Sequence, residues 1–218
     1  MSCIPRGLYG ILDLPPRVAE PGQRPPPPRA FYEPLVRAGV GVLQLRMKTG
    51  SAAAMLAVLD ELRARFPVED PASPRLIVND RLDVALAGRA HGAHLGQDDL
   101  PLAAARRLCP PGFLLGISTH DEEQAAAAMR GGADYIGFGP IYKTGTKLNP
   151  DPIVGIERLA GICRWATVPV VAIGGITLDR VGEVAAAGAH AAAVIGAVNY
   201  AADVLEAAQR VQRAFGVL

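Results

Sequence analysis

Acidic side chains follow two neighbouring strand-like runs in the middle of the chain. The apolar run at 76–78 leads into Asp80, and the run at 93–95 leads into Asp98 and Asp99, with a short helical pattern between them. In a parallel α/β arrangement, consecutive strands lie side by side and end at the same edge of the sheet, so these carboxylates are expected close together. Paired carboxylates repel each other unless a proton or a hard cation lies between them. The pattern predicts a cation site between Asp80 and one of the two later acids.

Eight strand-like runs alternate with helical patterns along the chain. The runs begin at Leu8, Val42, Leu76, Ala93, Phe113, Tyr135, Val168 and Ala191. This alternation predicts a (β/α)8 TIM barrel, in a single domain that spans residues 1–218. A doubly wound sheet is the alternative, but it needs no eighth unit and usually has a glycine-rich first turn, which this sequence lacks. The proline-rich stretch at about 15–28 is expected to be a surface loop.

The composition argues against several classes of protein. A net charge of +1 gives no electrostatic case for binding nucleic acid or an anionic membrane surface, and 5% aromatic residues leave little for stacking on bases. No apolar run approaches the roughly 20 residues of a membrane helix, and no secretory signal is expected at the N-terminus. The three cysteines are isolated, which suits a reducing compartment. A cytoplasmic protein whose partners are small molecules is expected, and whether it forms a homo-oligomer is left open.

In a TIM barrel the functional side chains lie where the strands end. The expected strand ends carry three cations that suit a polyphosphate: Arg46, Lys48 and Lys147. The carboxylates of Asp80 and Asp99 suit Mg²⁺, which takes one or two carboxylates together with phosphate oxygens. Glycines at 174–175 and at 196 precede helices and offer backbone N–H groups to a second phosphate. The expected ligands are a metal-bound pyrophosphate and a separate monophosphate.

Six short motifs together resemble the thiamine phosphate synthase family. They are QLRMK at 44–48, ND at 79–80, HLGQDDLP at 94–101, GIS at 116–118, GADYIGFGPIYKTGTK at 132–147 and PVVAIGGI at 169–176. Each motif is weak alone, but together they occur in order over nearly the whole chain with spacings that match the family. The resemblance implies a (β/α)8 transferase that joins hydroxymethylpyrimidine diphosphate to a thiazole monophosphate and releases pyrophosphate. It also implies Mg²⁺ as cofactor and a dissociative reaction, in which pyrophosphate leaves before the thiazole nitrogen attacks.

The resemblance assigns roles to individual residues. Asp80 and Asp99 match the Mg²⁺ ligands. The pyrimidine diphosphate contacts are matched by Gln44, Leu45, Arg46, Met47, Lys48, Asn79, Ser118 and Lys147. The thiazole phosphate contacts are matched by Thr144, Gly145, Thr146, Gly175, Ile195 and Gly196. Four of these residues are expected to act in catalysis: Arg46, Lys48, Ser118 and Lys147.

Three features depart from the family pattern. Many members carry serine where Gly196 stands, so one phosphate-binding hydroxyl is missing. Lys143 replaces a common proline, and the proline-rich insertion after the first strand is unusual. These departures bear on substrate affinity more than on the type of reaction.

Simpler interpretations of the same residues stay open. Asp80 and Asp99 could be helix N-caps or exposed acids in a first helical turn. Arg46 and Lys48 could form ordinary salt bridges at the rim, and His94 is expected to be a core or surface histidine and not a metal ligand. Two other functions also stay open: a thiazole tautomerase-like enzyme, which needs no metal-diphosphate site, and a non-catalytic protein that binds thiamine phosphates.

Overall fold

The computed structural model describes residues 4–14, 28–143 and 152–218. The proline-rich stretch expected at about 15–28 lies outside these ranges except for Pro28, which begins the first helix and is not part of a loop. A proline suits this position because the first N–H groups of a helix have no acceptor within it. The expected substrate contacts at 144–147 also lie outside the described residues.

Eight parallel strands close into a barrel in the order of the sequence, which confirms the (β/α)8 fold. The strands are β1 (Gly7–Asp13), β2 (Val42–Arg46), β3 (Arg75–Asn79), β4 (Gly92–Leu95), β5 (Leu114–Thr119), β6 (Tyr135–Phe138), β7 (Val170–Ile173) and β8 (Ala191–Ala193). The barrel closes between β1 and β8, where Tyr9 lies opposite Ala193. Every carboxyl-terminal strand end therefore faces the same mouth.

Helices cover the outside of the barrel between successive strands. In the described ranges they are α1 (Pro28–Arg37), α2 (Ala52–Arg65), α3 (Leu82–Ala87), α4 (Leu102–Leu108), α5 (Glu122–Arg130), α6 (Gly155–Trp165), α7 (Val181–Ala186), α8 (Gly196–Asn199) and α9 (Val204–Ala214). As expected, Ser51 caps α2, and its hydroxyl accepts a hydrogen bond from the N–H of Ala54 at 3.1 Å.

The last two helical units differ from the sequence expectation. The sequence predicts a helix that is capped by Thr177 and runs to Ala187. Instead, 177–180 form a turn in which the carbonyl of Thr177 accepts from Arg180 and Val181, and α7 starts only at Val181. After β8, a single helix from Ala201 was expected. A short additional helix, α8, precedes α9 there.

Two apolar cores hold the barrel together. The outer core lies between strands and helices and contains Leu43, Leu45 and Leu76, each no more than 1% exposed. The inner core fills the barrel with residues such as Ile77 and Val171. Because strand side chains alternate between the two faces, Gln44 points into the barrel while its neighbour Leu45 points away from it.

Among the described residues, no helix combines the length and the apolar character needed to cross a bilayer.

Candidate active site

Two carboxylates from neighbouring strand ends meet at the mouth of the barrel. Asp80 follows β3 and Asp99 follows β4, and the two carboxyl groups lie close enough for the charge of Asp80 to act on Asp99. Burial and the negative charge of Asp80 raise the pKa of Asp99, although a hydrogen bond from the N–H of Gly96 to Asp99 Oδ2, at 2.6 Å, works in the opposite direction. The acids that the sequence placed at adjacent strand ends therefore form a close pair of like charges.

Neither acid has the simpler role of a helix cap. The N-cap position of α3 is Arg81 and that of α4 is Pro101, and neither helix has a side-chain cap. Asp80 also has a backbone φ of 63°, in the left-handed region that non-glycine residues rarely occupy. Its N–H donates to the carbonyl of His94 at 2.8 Å, which ties this turn to β4. Unfavourable backbone conformations of this kind concentrate at functional sites.

Two cations lie at or just after the end of β2, and one of them contacts the pair of acids. Nζ of Lys48 lies 2.5 Å from Oδ2 of Asp80, with 52% of the Lys48 side chain exposed. Arg46 is far less exposed and pairs with Asp13 at the end of β1. The mouth thus carries a pair of acids with Lys48 beside Asp80, and Arg46 beside Asp13 at the adjacent strand ends, a set of charges that suits a metal-bound polyphosphate.

A chain of hydrogen bonds crosses the barrel just below the mouth. Nε2 of Gln44 donates to the hydroxyl of Tyr9 at 3.0 Å, and the hydroxyls of Tyr9 and Tyr135 lie 2.8 Å apart. Nδ1 of His94 lies 3.2 Å from the Tyr135 hydroxyl, and its Nε2 lies 2.9 Å from Oγ of Ser118. These five side chains, here called the polar chain, link β1 and β2 to β5. They form a hydrogen-bonded floor for the site.

Small residues make room for the polar chain. A methyl group at Gly116 would overlap the ring of Tyr135, and one at Gly137 would approach within 3.1 Å of the imidazole of His94. The two glycines therefore let aromatic side chains from neighbouring strands fill the barrel at this level.

We expect Gly116→Ala to destabilise the protein by about 1–3 kcal/mol, because the added methyl must displace a fully buried tyrosine ring. It should also lower activity, since moving Tyr135 breaks its hydrogen bonds to Tyr9 and His94. Urea unfolding and a turnover assay measure the two effects. Gly161→Ala, in α6 with only a distant arginine nitrogen at 3.8 Å, is the matched control and should lose neither property. Equal stability of the two variants would contradict the packing argument.

Burial keeps two histidines neutral. The pKa of His94 is lowered to about 4, mainly by burial. The pKa of His91 is also lowered to about 4, by burial and by the positive charge of Arg75. His91 lies outside the site, where its Nδ1 accepts from the N–H of Leu76 at 2.9 Å. His94 can thus act as a hydrogen-bond acceptor in the polar chain at neutral pH.

We expect the free energy of unfolding to fall as the pH drops from about 6.5 to 4. Over this range the unfolded chain protonates both histidines while the folded protein keeps His91 and His94 neutral, so the unfolded state binds more protons. Each histidine contributes on the order of 3 kcal/mol at most. Urea unfolding at several pH values in this window measures the slope, and His91→Gln should reduce it. An unchanged slope in that variant would contradict the assignment.

The loop after β7 supports the segment that follows β6. The N–H of Tyr142 donates to the carbonyl of Gly174 at 3.0 Å. The hydroxyl of Tyr142 donates to Glu183 at 2.9 Å, and the Arg180 guanidinium lies 4.6 Å from its ring centroid. Gly175 has a φ of 64° and lies against the carbonyl groups of Tyr142 and Lys143. The phosphate contact expected at Gly175 is therefore packed against Tyr142 and Lys143.

The remaining expected contacts lie at different depths. Leu45 is 1% exposed in the outer core, so only its backbone is available to a ligand. Met47, Asn79 and Ile195 are half-buried, and Gly196 is exposed at the start of α8. Thr144, Gly145, Thr146 and Lys147 fall outside the described residues, and their roles stay predictions.

Three side chains of the site were not assigned to it from the sequence, and for Asp13 the sequence leaves open whether it caps the first loop or contributes to the site. Tyr9, Tyr135 and His94 belong to the polar chain, and Asp13 pairs with Arg46. The signal for three of them was the alternation of strand side chains. It places Tyr9 on the same face of β1 as Asp13, and His94 on the same face of β4 as Gly96.

The chain matches the family model for thiamine monophosphate synthase over residues 27–198. The thiamine-phosphate synthase of Methanospirillum hungatei is 46% identical over 172 residues, which cover 79% of this chain and 82% of that protein. The chain belongs to the thiamine monophosphate synthase family. The thiamine-phosphate synthase of Myxococcus xanthus is 42% identical over 181 residues, covering 83% of this chain and 82% of that protein. The expectation of a transferase is thereby confirmed.

The solved structures agree with the family assignment. A thiamine phosphate pyrophosphorylase from Pyrococcus furiosus superposes with a TM-score of 0.80 at 29% identity, covering 99% of this chain and 96% of that one. A 4-hydroxy-2-oxoglutarate aldolase superposes with a TM-score of 0.68 at 17% identity, over 95% of this chain and 94% of that one. The second likeness shows the shared barrel fold alone.

Proposed function

We propose that this protein joins 4-amino-2-methyl-5-hydroxymethylpyrimidine diphosphate to 4-methyl-5-hydroxyethylthiazole phosphate, giving thiamine monophosphate and pyrophosphate. The observation that carries the proposal is the meeting of Asp80 and Asp99 beside Lys48. A paired carboxylate site next to Lys48 and Arg46 matches the charge of a metal diphosphate. The named relatives and the family assignment support the same reaction.

The donor set at the mouth suits Mg²⁺. Asp80 and Asp99 would hold the ion. The pKa of Asp99 is raised by burial and also by the charge of Asp80, and a cation between the two carboxylates would relieve their repulsion. Among the described residues no group of three or more histidine, cysteine or acidic side chains could form a closed protein cage. Mg²⁺ commonly binds through one or two carboxylates with phosphate oxygens and water completing its shell, so two acids are sufficient. Bound Mg²⁺ would supply positive charge to the leaving pyrophosphate.

The protein residues act mainly by placing charge and holding the substrates in line. The bond between the pyrimidine methylene carbon and the diphosphate oxygen breaks, and its electron pair leaves with pyrophosphate. The thiazole nitrogen then donates its lone pair to the methylene carbon. Arg46 and Lys48, with Lys147 as a further expected cation, would stabilise the charge that develops on the leaving group. Ser118 would donate a hydrogen bond to the diphosphate.

The second phosphate would lie at the ends of β7 and β8. Gly175, Ile195 and Gly196 follow these strands, which is the usual phosphate position in this fold. With glycine at 196 the backbone, without a hydroxyl, would bind the thiazole phosphate there. Thr144 to Thr146 would complete this pocket.

Neither alternative function requires the full set of charges at the mouth. An isomerisation of one thiazole phosphate, as in a tautomerase-like enzyme, has no use for paired metal ligands beside Lys48. A binding protein without catalysis has no need for the cations that stabilise a leaving group. The presence of Asp80, Asp99, Arg46 and Lys48 therefore favours the synthase.

The test is pyrophosphate release by the purified chain. Release, with formation of thiamine monophosphate, is expected only when both substrates and Mg²⁺ are present, and a chelator should stop it. Conversion of a thiazole phosphate isomer without the diphosphate would favour the tautomerase. Binding of thiamine phosphate with no turnover under any condition would favour the non-catalytic protein.

A further inference from the structure

Asp13 is a buried acid at the mouth that the proposed reaction leaves without a role. It is the last residue of β1, its side chain is 4% exposed, and it lies opposite Arg46 in the register of β1 and β2. One carboxylate oxygen, Oδ1, accepts a hydrogen bond from Nη1 of Arg46. The other, Oδ2, is buried and has no hydrogen-bond partner among the described residues.

Stability does not explain an acid at this position. A buried carboxylate oxygen without a partner loses its hydration and gains no hydrogen bond in return. Replacing a buried ion pair by apolar side chains is often neutral or stabilising. The hydrogen-bond partner of Asp13 in the described part of the chain is Arg46, so a role for this carboxylate is to be sought in what it does to the arginine.

We propose that Asp13 is a positioning residue that orients Arg46 toward the diphosphate, an inference that rests on the proposed function. The carboxylate holds Nη1 from the side of β1, which fixes the plane of the guanidinium and leaves its other N–H groups for the ligand. Arg46 has 12% of its side chain exposed, whereas the second cation, Lys48, has 52%. Arg46 is thus the oriented donor of the pair.

The same carboxylate has a second electrostatic effect. Its negative charge offsets part of the positive charge of Arg46 and so weakens the attraction of the site for a diphosphate in the ground state. Removing Asp13 loses alignment but strengthens this attraction. For substrate affinity the two effects of removing Asp13 oppose each other. For kcat the loss of alignment dominates, because the charge that develops on the leaving group is stabilised only by a donor in a fixed position.

The first experiment compares Asp13→Ala and Asp13→Asn in steady-state kinetics. We expect Asp13→Ala to lower kcat about 10- to 100-fold while the KM for the pyrimidine diphosphate changes less than about threefold. Asp13→Asn should retain intermediate activity, because its amide oxygen can still accept from Arg46. The KM for the thiazole phosphate should not change. Wild-type kcat in Asp13→Ala would overturn the proposal.

A double-mutant cycle tests whether Asp13 acts through Arg46. If it does, Asp13→Ala combined with Arg46→Ala should be no slower than Arg46→Ala alone, because the group to be oriented is already absent. A further tenfold loss in the double variant would overturn the proposal, since Asp13 would then act by another route.

The pair of Arg106 and Asp134 provides a matched control away from the mouth. Nη2 of Arg106 lies 2.7 Å from Oδ2 of Asp134, which also accepts from the N–H of Leu115. Asp134→Asn removes the same kind of charge pair and should leave kcat unchanged, whatever it does to the melting temperature. If Asp134→Asn lowered kcat as much as Asp13→Ala, a general structural effect would explain both, and the proposal would fail.

A measurement without turnover separates this inference from the proposed reaction. The NMR signal of the Arg46 Nε–H group, assigned by its loss in Arg46→Lys, should move toward the position of exposed arginines in Asp13→Ala. An unmoved signal would show that Asp13 does not orient the guanidinium. If the wild-type chain releases no pyrophosphate, the proposed function fails, but the NMR signal still shows whether Asp13 orients Arg46.

Discussion

Asp80→Asn and Asp99→Asn should each lower kcat by about 100-fold or more, because each removes one of the two charges expected to hold Mg²⁺. Asparagine is chosen for position 80 because it tolerates the left-handed backbone found there better than alanine does. The measurement is pyrophosphate release as a function of Mg²⁺ concentration, where both variants should need more metal to reach their maximum.

The same two variants should not be less stable than the wild type. The raised pKa of Asp99 means that its ionised form is disfavoured in the folded protein, so neutralising either member of the pair removes repulsion in the absence of metal. Urea unfolding at pH 7 without metal measures the free energy of unfolding of the wild type and of each variant. Asp98→Asn, which changes the exposed neighbouring acid, is the control and should keep its activity. Full activity in Asp80→Asn would remove the metal assignment.

Gly175→Ala should destabilise the protein by about 2–4 kcal/mol and raise the KM for the thiazole phosphate at least tenfold. The residue has a φ of 64°, which costs about 1–2 kcal/mol for alanine, and the new methyl would overlap the carbonyl oxygen of Lys143. Because Lys143 leads directly into the 144–147 segment, the substitution should move the expected phosphate contacts there.

Gly182→Ala provides the comparison for this prediction. Gly182 lies in α7, seven residues further along, and a methyl group there would meet no atom within 4 Å. This variant should be neutral, or more stable by up to about 1 kcal/mol, with unchanged kinetics. A KM that stays at the wild-type value in Gly175→Ala would exclude Gly175 from the phosphate site.

Much of the fold was predictable because the apolar residues of this chain recur with the periods of strands and helices. The sequence pattern predicts a strand over 42–46 and a helix over 102–108, and β2 and α4 have these bounds, since apolar residues recur there at the spacing that each element requires. The short α8 (Gly196–Asn199) was not predicted, because four residues that begin with glycine carry little helical signal. The late start of α7 depends on a turn that is stabilised by backbone hydrogen bonds, which composition does not reveal.

The candidate site was predictable only in part, because some of its contacts join residues that are distant in sequence. The predicted strand ends identify Asp80 and Asp99 in the sequence, and the parallel pairing of β3 and β4 brings the two residues to the same edge of the barrel. The pairing of Asp13 with Arg46 depends on the register between β1 and β2, and the place of His94 depends on the glycine at 137 that makes room for it. Contacts of this kind arise from residues distant in sequence, so a pattern read along one strand does not contain them.

The polar chain across the barrel has a direction. The amide nitrogen of Gln44 can only donate, so the hydroxyl of Tyr9 accepts there and turns its own hydrogen to Tyr135; otherwise that hydrogen would be buried without an acceptor in the described part of the chain. Tyr135 in turn donates to Nδ1 of His94, whose hydrogen then lies on Nε2 and points at Ser118. The hydroxyl of Ser118 accepts this hydrogen, and its own hydrogen is not used within the polar chain. The amide of Gln44 on β2 thus sets the direction of every hydrogen bond up to Ser118 on β5, whose hydroxyl hydrogen would be available to the diphosphate proposed at the mouth.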